Sequence, residues 1–306
     1  MKTKRKTPAV RPGRKNTRVA ILFICVALIP ALSHLAIFWA PVQIQSLILS
    51  FVDYRTNSFT LFGNFASAIE MLTDGASDLG SGMLNTCKFF LVGLALKMLS
   101  FFAAYMLYKK MFGSAFVRTV LYLPAAVSSF MMAYIYQQVL ISEGPLITFL
   151  TQTLGIEMKL PVIVESAMPM MIFYQIWLGL GGGLIVWFGA MGRIPPDILD
   201  YGKLDGIGPF REFFSIIIPL IWPTFVTLFT LDLIGFFGAD GPILLFTEGR
   251  YGTFTLGYWL FDVVYSGSRN MYGVAMAVGL LMTFATIPVV FIARYIMNRF
   301  GQEVEY

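Results

Sequence analysis

The composition of this 306-residue chain is that of a membrane protein, since 57% of its residues are hydrophobic and only 13% are charged. Soluble domains carry about 25% charged residues, so a soluble globular enzyme or binding domain is excluded. One histidine and two cysteines support neither a histidine-based metal site nor a disulfide framework, and we expect no metal and no cofactor. The net charge of +5 arises from basic residues at the ends of apolar runs, which indicates membrane topology and contact with lipid, not with nucleic acid.

The chain begins with a basic, proline-containing segment, residues 1–18, which predicts a disordered cytoplasmic tail. The apolar run that follows, residues 19–40, is long enough to span a bilayer, which takes roughly 20 helical residues. We predict that it is the first transmembrane helix, bent or interrupted near Pro30, and that the apolar pattern extends it toward Val52. The alternative is a secretory signal, but the run is too long and lacks a small-x-small cleavage pattern.

Five further apolar runs predict a single membrane domain over residues 19–306, all-α and with six transmembrane helices. A polar, glycine-bearing segment with a short helix around Phe65–Leu72 separates the first span from the second. The third run contains Pro124, and no internal repeat at a fixed period is visible. The approximate later spans are residues 86–107, 116–139, 167–191, 216–237 and 274–293.

The orientation follows from the distribution of Lys and Arg over the loops, because cytoplasmic loops carry an excess of both. With the N-terminus inside, sixteen basic residues lie on the inner side and five on the outer side. Both termini and the loop between the fourth and fifth spans are therefore predicted to be cytoplasmic.

That loop, residues 193–213, is rich in charge in a chain that is otherwise poor in it. Two prolines open it and predict a short helix from about Pro196 to Leu204, because proline is well tolerated at the first helical position. Asp205-Gly206 and Gly208-Pro209 predict a turn, after which a second helix begins. We interpret the loop as a bent platform that another protein grips; the alternative is a plain solvated loop. The first helix is predicted to have an apolar side, Ile198, Tyr201 and Leu204, and a polar side, Asp197, Asp200 and Lys203.

The platform resembles the cytoplasmic coupling loop of ABC-importer permeases, whose pattern is Glu-Ala-Ala, two residues, Asp-Gly, then a phenylalanine and a proline. Asp200-Tyr201-Gly202 stands at the Glu-Ala-Ala position, and Phe213 or Phe214 at the phenylalanine. The resemblance implies a type I importer-like fold, with a coupling helix between the fourth and fifth spans that contacts a separate ATPase. The residues that it implicates in coupling are Pro195, Asp200, Gly202, Asp205, Gly206 and Pro219.

Short matches elsewhere resemble sugar permeases of the maltose-transporter F-subunit type. They include Asn85-Thr86, Arg118-Thr119 with Leu123-Pro124, and Thr247-Glu248-Gly249 with Thr255-Leu256, where the family's second glycine and proline are absent. The resemblance implies a permease of the bacterial inner membrane that imports a sugar or oligosaccharide by alternating access. It also implies the partners: a second permease in a heterodimeric pore, two ATP-binding subunits and an extracytoplasmic solute-binding protein.

The chain itself is not expected to be an enzyme, because it has no G-x-x-x-x-G-K-[ST] phosphate loop and no nucleophile–base–acid set. Three alternatives remain open. A permease for another ABC substrate class would keep the platform. An ion-coupled secondary transporter would show inverted repeats and coupled charges in broken helices. A membrane-embedded enzyme would need a convergent polar or metal constellation.

Several residues inside the spans are candidates for a substrate path. Lys97 and Asp232 are ionisable, and such groups usually face a partner or a water-filled path, although Lys97 could snorkel and Asp232 lies near a span end. Gly179, Gly181, Gly182 and Gly183 predict close helix packing or an opening toward a cavity. Aromatic and amide side chains suited to stacking on a sugar and hydrogen-bonding it, or else to packing, are Tyr174, Gln175, Trp177, Tyr134 and Gln137.

Overall fold

A computed structural model describes residues 14–54, 56–110, 113–140, 144–153, 155, 166–238 and 241–301. Most of the predicted basic tail, residues 1–13 of its eighteen, lies outside the described residues. The described part is almost entirely helical, apart from an antiparallel hairpin of β1 (Val52–Asp53) and β2 (Ser58–Phe59). The helices are α1 (Arg14–His34), α2 (Ala40–Leu49), α3 (Gly63–Thr73), α4 (Asp78–Tyr108), α5 (Ser114–Ala126), α6 (Ser129–Leu140), α7 (Pro145–Thr148), α8 (Ala167–Met191), α9 (Pro196–Leu204), α10 (Pro209–Glu212), α11 (Ile218–Ile234), α12 (Ile243–Phe246), α13 (Leu256–Tyr265) and α14 (Tyr272–Phe300).

Three π-helical segments, Leu35–Trp39, Phe149–Thr153 and Phe213–Ile217, and two 3-10 segments, Phe236–Gly238 and Arg269–Met271, lie between these helices. Five of the described helical stretches are long and apolar enough to cross a membrane, and the α5–α6 pair would be a sixth. The five are Val19–Leu49, Asp78–Tyr108, Ala167–Met191, Pro209–Ile234 and Arg269–Arg299.

The first helical stretch is longer than the predicted span and is not interrupted at Pro30, which lies inside α1. Its irregularity comes later, at the π turn Leu35–Trp39, where the amide of Ala40 donates to the carbonyl of Leu35. Pro41 follows this turn and has no amide hydrogen for the carbonyl four residues earlier, so a wider turn accommodates the proline. The helix then continues to Leu49.

The third predicted span, residues 116–139, is not one continuous helix. The structure has α5 and α6 instead, which are bent by 102° relative to each other. Val127 between them has φ −89° and ψ 148°, an extended conformation that ends the first helix. Pro124 lies in the last turn of α5 and removes one backbone hydrogen bond there, which lowers the cost of the break.

Helix α8 packs along α4, and its glycines make this approach and the one to α5 close. A Cβ on Gly181 would overlap the carbonyl oxygen of Leu121 on α5, and one on Gly183 would lie 2.5 Å from the Oγ of Ser100 on α4. By contrast, a Cβ on Gly182 would meet nothing within 4 Å. The two alternatives predicted for these glycines thus apply to different positions. Gly181 and Gly183 allow close helix packing, whereas Gly182 faces open space.

Two buried asparagines hold segments that lie between the long helices against those helices. Asn64 on α3 donates from Nδ2 to the carbonyls of Ser50 and Val52, at 3.0 and 2.9 Å. The short helix predicted around Phe65–Leu72 is confirmed as α3, which begins two residues earlier and ends one residue later. Asn85 on α4 donates from Nδ2 to the carbonyls of Gly252 and Phe254, both at 2.8 Å.

Candidate coupling platform and transport cavity

Helix α9 has the bounds that the sequence predicts, Pro196–Leu204. Pro196 occupies its first position, where the missing amide hydrogen costs no intrahelical bond, and Pro195 precedes it with φ −57° and ψ 129°. Two residues of the apolar side predicted for α9, Tyr201 and Leu204, are 67% and 81% exposed, so this side does not pack against the rest of the chain. The side that packs against the rest of the chain carries Leu199 and Gly202.

Gly206 ends α9 in the left-handed conformation that the sequence predicts, with φ +71°. The amide of Gly206 donates to the carbonyl of Lys203 at 3.1 Å, and that of Ile207 donates to the carbonyl of Gly202 at 3.0 Å. This pair of bonds is a Schellman motif, which satisfies carbonyls at the end of a helix and favours glycine at the left-handed position. The turn is therefore fixed by backbone hydrogen bonds, while Gly206 itself is exposed.

Gly202 lies where α9 meets the next helix. A Cβ added there would lie 3.0 Å from the Cδ1 of Ile216 and 4.0 Å from the Cδ1 of Ile207. The first distance is shorter than an ordinary van der Waals contact. Ile216 therefore fills the space that the methyl group of an alanine would need, and alanine is the residue that the family's pattern has at this position. The glycine and the isoleucine together seat α9 against the π turn Phe213–Ile217.

Asp200 and Asp205 are both exposed at the solvent side of the platform. Lys203 donates to the Oδ1 of Asp200 at 2.7 Å, an ion pair three residues apart on one helix. This hydrogen bond and the negative charge of Asp200 raise the pKa of Lys203 above its usual value. The structure therefore places Asp200 where a partner could reach it, and does not use it to brace the turn.

A buried carboxylate, Glu212, joins the platform to α4, and sequence reasoning missed its role. The Nζ of Lys109 lies 2.8 and 2.7 Å from its two oxygens, and the hydroxyl of Tyr105 lies 3.3 Å from Oε1. The side chain of Glu212 is 2% exposed and that of Lys109 is 24% exposed. The hydroxyl of Tyr105 also donates to the carbonyl of Pro209 at 2.9 Å. The partners lie 103 residues apart in sequence, so only the fold reveals the pair.

Phe213, next to this pair, packs with its ring centroid 4.8 Å from that of Phe101 and 4.9 Å from that of Tyr105. Phe214 is exposed, so Phe213 is the buried phenylalanine of the two that match the family's pattern. Pro219 comes just after the π turn, in which Ile218 donates to the carbonyl of Phe213. Because Pro219 cannot donate to the carbonyl four residues before it, the wider turn accommodates it without a break in the helix.

Lys97 and Asp232, predicted as separate lining residues, form an ion pair between α4 and α11. The Nζ of Lys97 lies 2.5 Å from both Oδ1 and Oδ2 of Asp232. Their side chains are 25% and 28% exposed, so neither group is fully buried. Pairing removes most of the cost of placing two charges inside a membrane domain, which a lone Lys or Asp would carry.

Gln175 on α8 is the residue at which three cavities meet. We call them the Lys97 cavity (400 Å³, also lined by Ser100 and Gly182), the Asp232 cavity (200 Å³, also lined by Phe90) and the Tyr174 cavity (370 Å³, also lined by Gly179). The Nε2 of Gln175 donates to the carbonyl of Phe89 at 3.2 Å, while its Oε1 is buried and has no hydrogen-bond partner. A buried acceptor without a donor costs about 1–3 kcal/mol.

The other predicted path residues do not join Gln175 in one site. Tyr174 lines one of the three cavities, but its hydroxyl donates to the carbonyl of Ser129, which ties α8 to α6. Gln137 donates to the carbonyl of Leu245, another tie between helical segments. Trp177 borders a separate apolar groove of 590 Å³ together with Tyr136, and Tyr134 is exposed. The structure thus brings Lys97, Asp232, Gln175 and Tyr174 to adjoining cavities and places the others elsewhere.

The loop that carries Thr247-Glu248-Gly249 and Thr255-Leu256 is held against the start of α4. Besides the two bonds from Asn85, the Oγ1 of Thr86 accepts from the amide of Leu256 at 3.0 Å. Thr247 and Thr253 share a buried hydroxyl contact of 2.6 Å. A Cβ on Gly82 would lie 3.2 Å from the backbone of Thr255, so α4 and the loop approach closely. The loop is therefore a fixed part of the fold.

The chain is similar to known permeases in sequence. It is 26% identical over 169 residues to the sn-glycerol-3-phosphate transport system permease protein of Shigella dysenteriae, a stretch that covers 52% of this chain and 57% of that protein. It is 30% identical over 182 residues to the maltose/maltodextrin transport system permease protein of Salmonella typhimurium, covering 56% of this chain and 35% of that one. The match thus spans little more than half the length of the first of these relatives.

The fold is also known from solved structures. A chain of a bacterial ABC transporter involved in the import of the acidic polysaccharide alginate superposes with a TM-score of 0.78 at 20% identity, covering 94% of this chain and 99% of that one. A second alginate transporter structure, with a pentasaccharide-bound periplasmic protein, gives 0.77 at 21% identity, covering 94% and 98%. The model of the family described as binding-protein-dependent transport system inner membrane component matches residues 98–306, and the chain belongs to that family.

Proposed function

We propose that this chain is one of two membrane-spanning subunits of an ATP-driven importer that moves a sugar or oligosaccharide inward by alternating access. The observation that carries the substrate class is Gln175, which borders three cavities and whose buried Oε1 has no hydrogen-bond partner. Because Nε2 is engaged by Phe89, the atom left without a partner is an acceptor, and a sugar hydroxyl is a suitable donor. Tyr174 and Ser100 supply further polar and aromatic surface nearby.

The relatives support a saccharide as the substrate. The Salmonella protein is named for maltose and maltodextrin, and the structurally similar chains come from an importer of alginate. The Shigella protein is named for sn-glycerol-3-phosphate, which keeps a permease for another substrate class as the second candidate. An ion-coupled transporter is less favoured, since the paired Lys97 and Asp232 leave no net charge there for a driving ion.

The platform supports coupling to a separate ATPase. Tyr201, Leu204 and Phe210 expose large apolar surfaces beside charged side chains, which is the composition of a protein docking surface and unusual for a free loop. We propose that two ATP-binding subunits, a second permease and an extracytoplasmic solute-binding protein complete the complex. We further propose that the platform and both termini face the cytoplasm of a bacterial inner membrane, because basic residues predominate on that side.

The proposal is tested by reconstituting the complex in vesicles and measuring the ATP-dependent uptake of labelled oligosaccharides, neutral and acidic. We expect uptake of at least one saccharide, and a loss of about ten-fold when Gln175→Leu removes the acceptor. Gln138→Leu, a matched change at an exposed position of α6, should transport normally. ATP-dependent uptake of a phosphate ester with no saccharide transported would overturn the substrate class, and uptake driven by an ion gradient without ATP would overturn the mechanism.

Orientation has its own test, with accessibility tags in intact cells. Tags at positions 5 and 303 should react only from the cytoplasm, whereas tags at positions 70 and 255 should react from outside. Termini on opposite faces would refute the proposed topology.

A further inference from the structure

The carboxylate of Glu212 is nearly inaccessible, although the platform around it is solvent-facing and is proposed to dock a partner. We propose that Lys109 and Glu212 form a tether through which movement of the platform is passed to α4 and so to the cavity wall. They are positioning residues for coupling, and the inference rests on the proposed ATP-driven function. Neither residue is among the six that the family resemblance implicates in coupling.

The contacts of the tether come from one turn of each helix. Tyr105 lies in the last turn of α4 and Lys109 caps the end of that helix four residues later, so both lie on one side of the helix end. Tyr105 holds the carbonyl of Pro209, the first residue of α10, and Lys109 holds both oxygens of Glu212, its last residue. Both ends of α10 are thus hydrogen-bonded to residues at the end of α4.

The remainder of the platform is attached to α10 and is expected to move with it. Helix α9 is joined to it by the hydrogen-bonded turn at Gly206 and seated on Ile216 through Gly202. A partner that pushes on the exposed Tyr201 and Leu204 therefore displaces α9 and α10 together. The tether is the polar contact that carries this displacement across to α4, a helix about 100 residues earlier in the sequence.

Helix α4 then links the tether to the cavity. Lys97 precedes Lys109 by twelve residues on the same helix, which corresponds to about 18 Å at 1.5 Å per residue. Lys97 pairs with Asp232, which lies on the same continuous helical stretch, Pro209–Ile234, that contains Glu212. Two ion pairs thus clamp the same two antiparallel stretches, one at the platform and one beside Gln175.

The burial of Glu212 makes its charge dependent on the other members of the tether. A carboxylate that is 2% exposed depends on Lys109 and Tyr105 for its countercharge and hydrogen bonds, and the loss of either partner leaves it unpaired. Phe213 and the surrounding aromatic rings exclude water from its other side. Glu212→Gln removes the charge but keeps the shape, so it weakens the tether without opening a cavity.

The test uses the assembled complex, with uptake and ATP hydrolysis measured in the same vesicles. We expect Glu212→Gln and Lys109→Met to assemble and hydrolyse ATP while the sugar moved per ATP falls by about ten-fold. The exchange variant, Lys109→Glu with Glu212→Lys, restores opposite charges and should recover much of that ratio. Lys110→Met removes the adjacent exposed basic residue and should leave the ratio unchanged.

A purely structural pair would give a different pattern. Assembly or melting temperature would fall, but the uptake per ATP of the complexes that do form would stay normal, and this result would overturn the inference. If the single variants fail to assemble, the exchange variant decides: assembly with an uncoupled ATPase refutes the tether, and assembly with coupled transport supports it. Failure of the proposed function is separate, since the unmodified complex would then show no ATP-driven sugar uptake at all.

Discussion

The platform end of the bundle and the cavities near Gln175 are built from the same helices but treat polar groups in opposite ways. At the platform end, both oxygens of Glu212 are bonded and Phe213 packs beside them. At the cavities, Gln175 keeps a buried acceptor without a partner, and Gly182 faces open space. The difference supports the proposals made above, in which the first region transmits force as a packed unit and the second is completed by a ligand or by movement.

The largest effect, on assembly of the complex, is expected at α8, where a closely packed glycine is followed by one that faces open space. Gly181→Ala places a Cβ on the Leu121 carbonyl and forces α5 and α8 apart, at a cost of about 1–3 kcal/mol or more. Gly182→Ala, one residue later, meets nothing and should assemble normally. The measurement is the yield of assembled complex after detergent extraction. Equal yields for the two variants would contradict the distinction between the two faces.

The next effect concerns the turn of the platform. Gly206→Val places a β-branched residue at φ +71°, a left-handed conformation that costs a non-glycine residue about 1–2 kcal/mol. Insertion should survive, while ATP-driven uptake and ATPase docking fall together because α9 is reoriented. Gly208→Val is the control, since Gly208 has φ −70° and an extended backbone that valine adopts freely. Normal transport by Gly206→Val would show that the platform is not the coupling element.

Much of the platform could be predicted from the sequence, because its signals are local. The two prolines placed the start of α9 and the Asp-Gly dipeptide placed its end. The side that α9 buries could not be predicted, since burial is decided by Ile216 and the neighbouring helix and not by the hydrophobic period of nine residues. Both ion pairs were missed as pairs, because their members lie 103 and 135 residues apart and no spacing rule relates them.

An intermediate effect, on uptake, is expected when the ion pair between Lys97 and Asp232 is broken. Lys97→Met and Asp232→Leu should each lower uptake by about ten-fold, because each leaves one charge unpaired within the membrane domain. The double variant has no unpaired charge and should transport better than either single variant. Uptake rates of the three variants, normalised to assembled complex, form a double-mutant cycle. Strictly additive losses would mean that the two residues do not interact during transport.

The smallest effect is expected at the exposed pair of the platform. Asp200→Ala removes an ion pair at an exposed helix surface, where solvent screens the interaction, so the stability of the chain should hardly change. Any loss in ATP-driven uptake then reports contact with the partner, and Asp197→Ala, another exposed acidic change on α9, is the control. A large fall in melting temperature for Asp200→Ala would show that this carboxylate braces the fold instead.

The long N-terminal helix has a consequence for the membrane in which the protein resides. Val19–Leu49 has 31 residues, and its most apolar window has no buried residue in the part of the chain that the structure describes. At 1.5 Å per residue the helix is about 46 Å long, against about 30 Å of hydrocarbon in a typical bilayer. A helix held mainly by lipid adjusts to bilayer thickness by tilting. Sensitivity to lipid chain length should therefore reside in this helix, while the packed helices keep the geometry of the transport path.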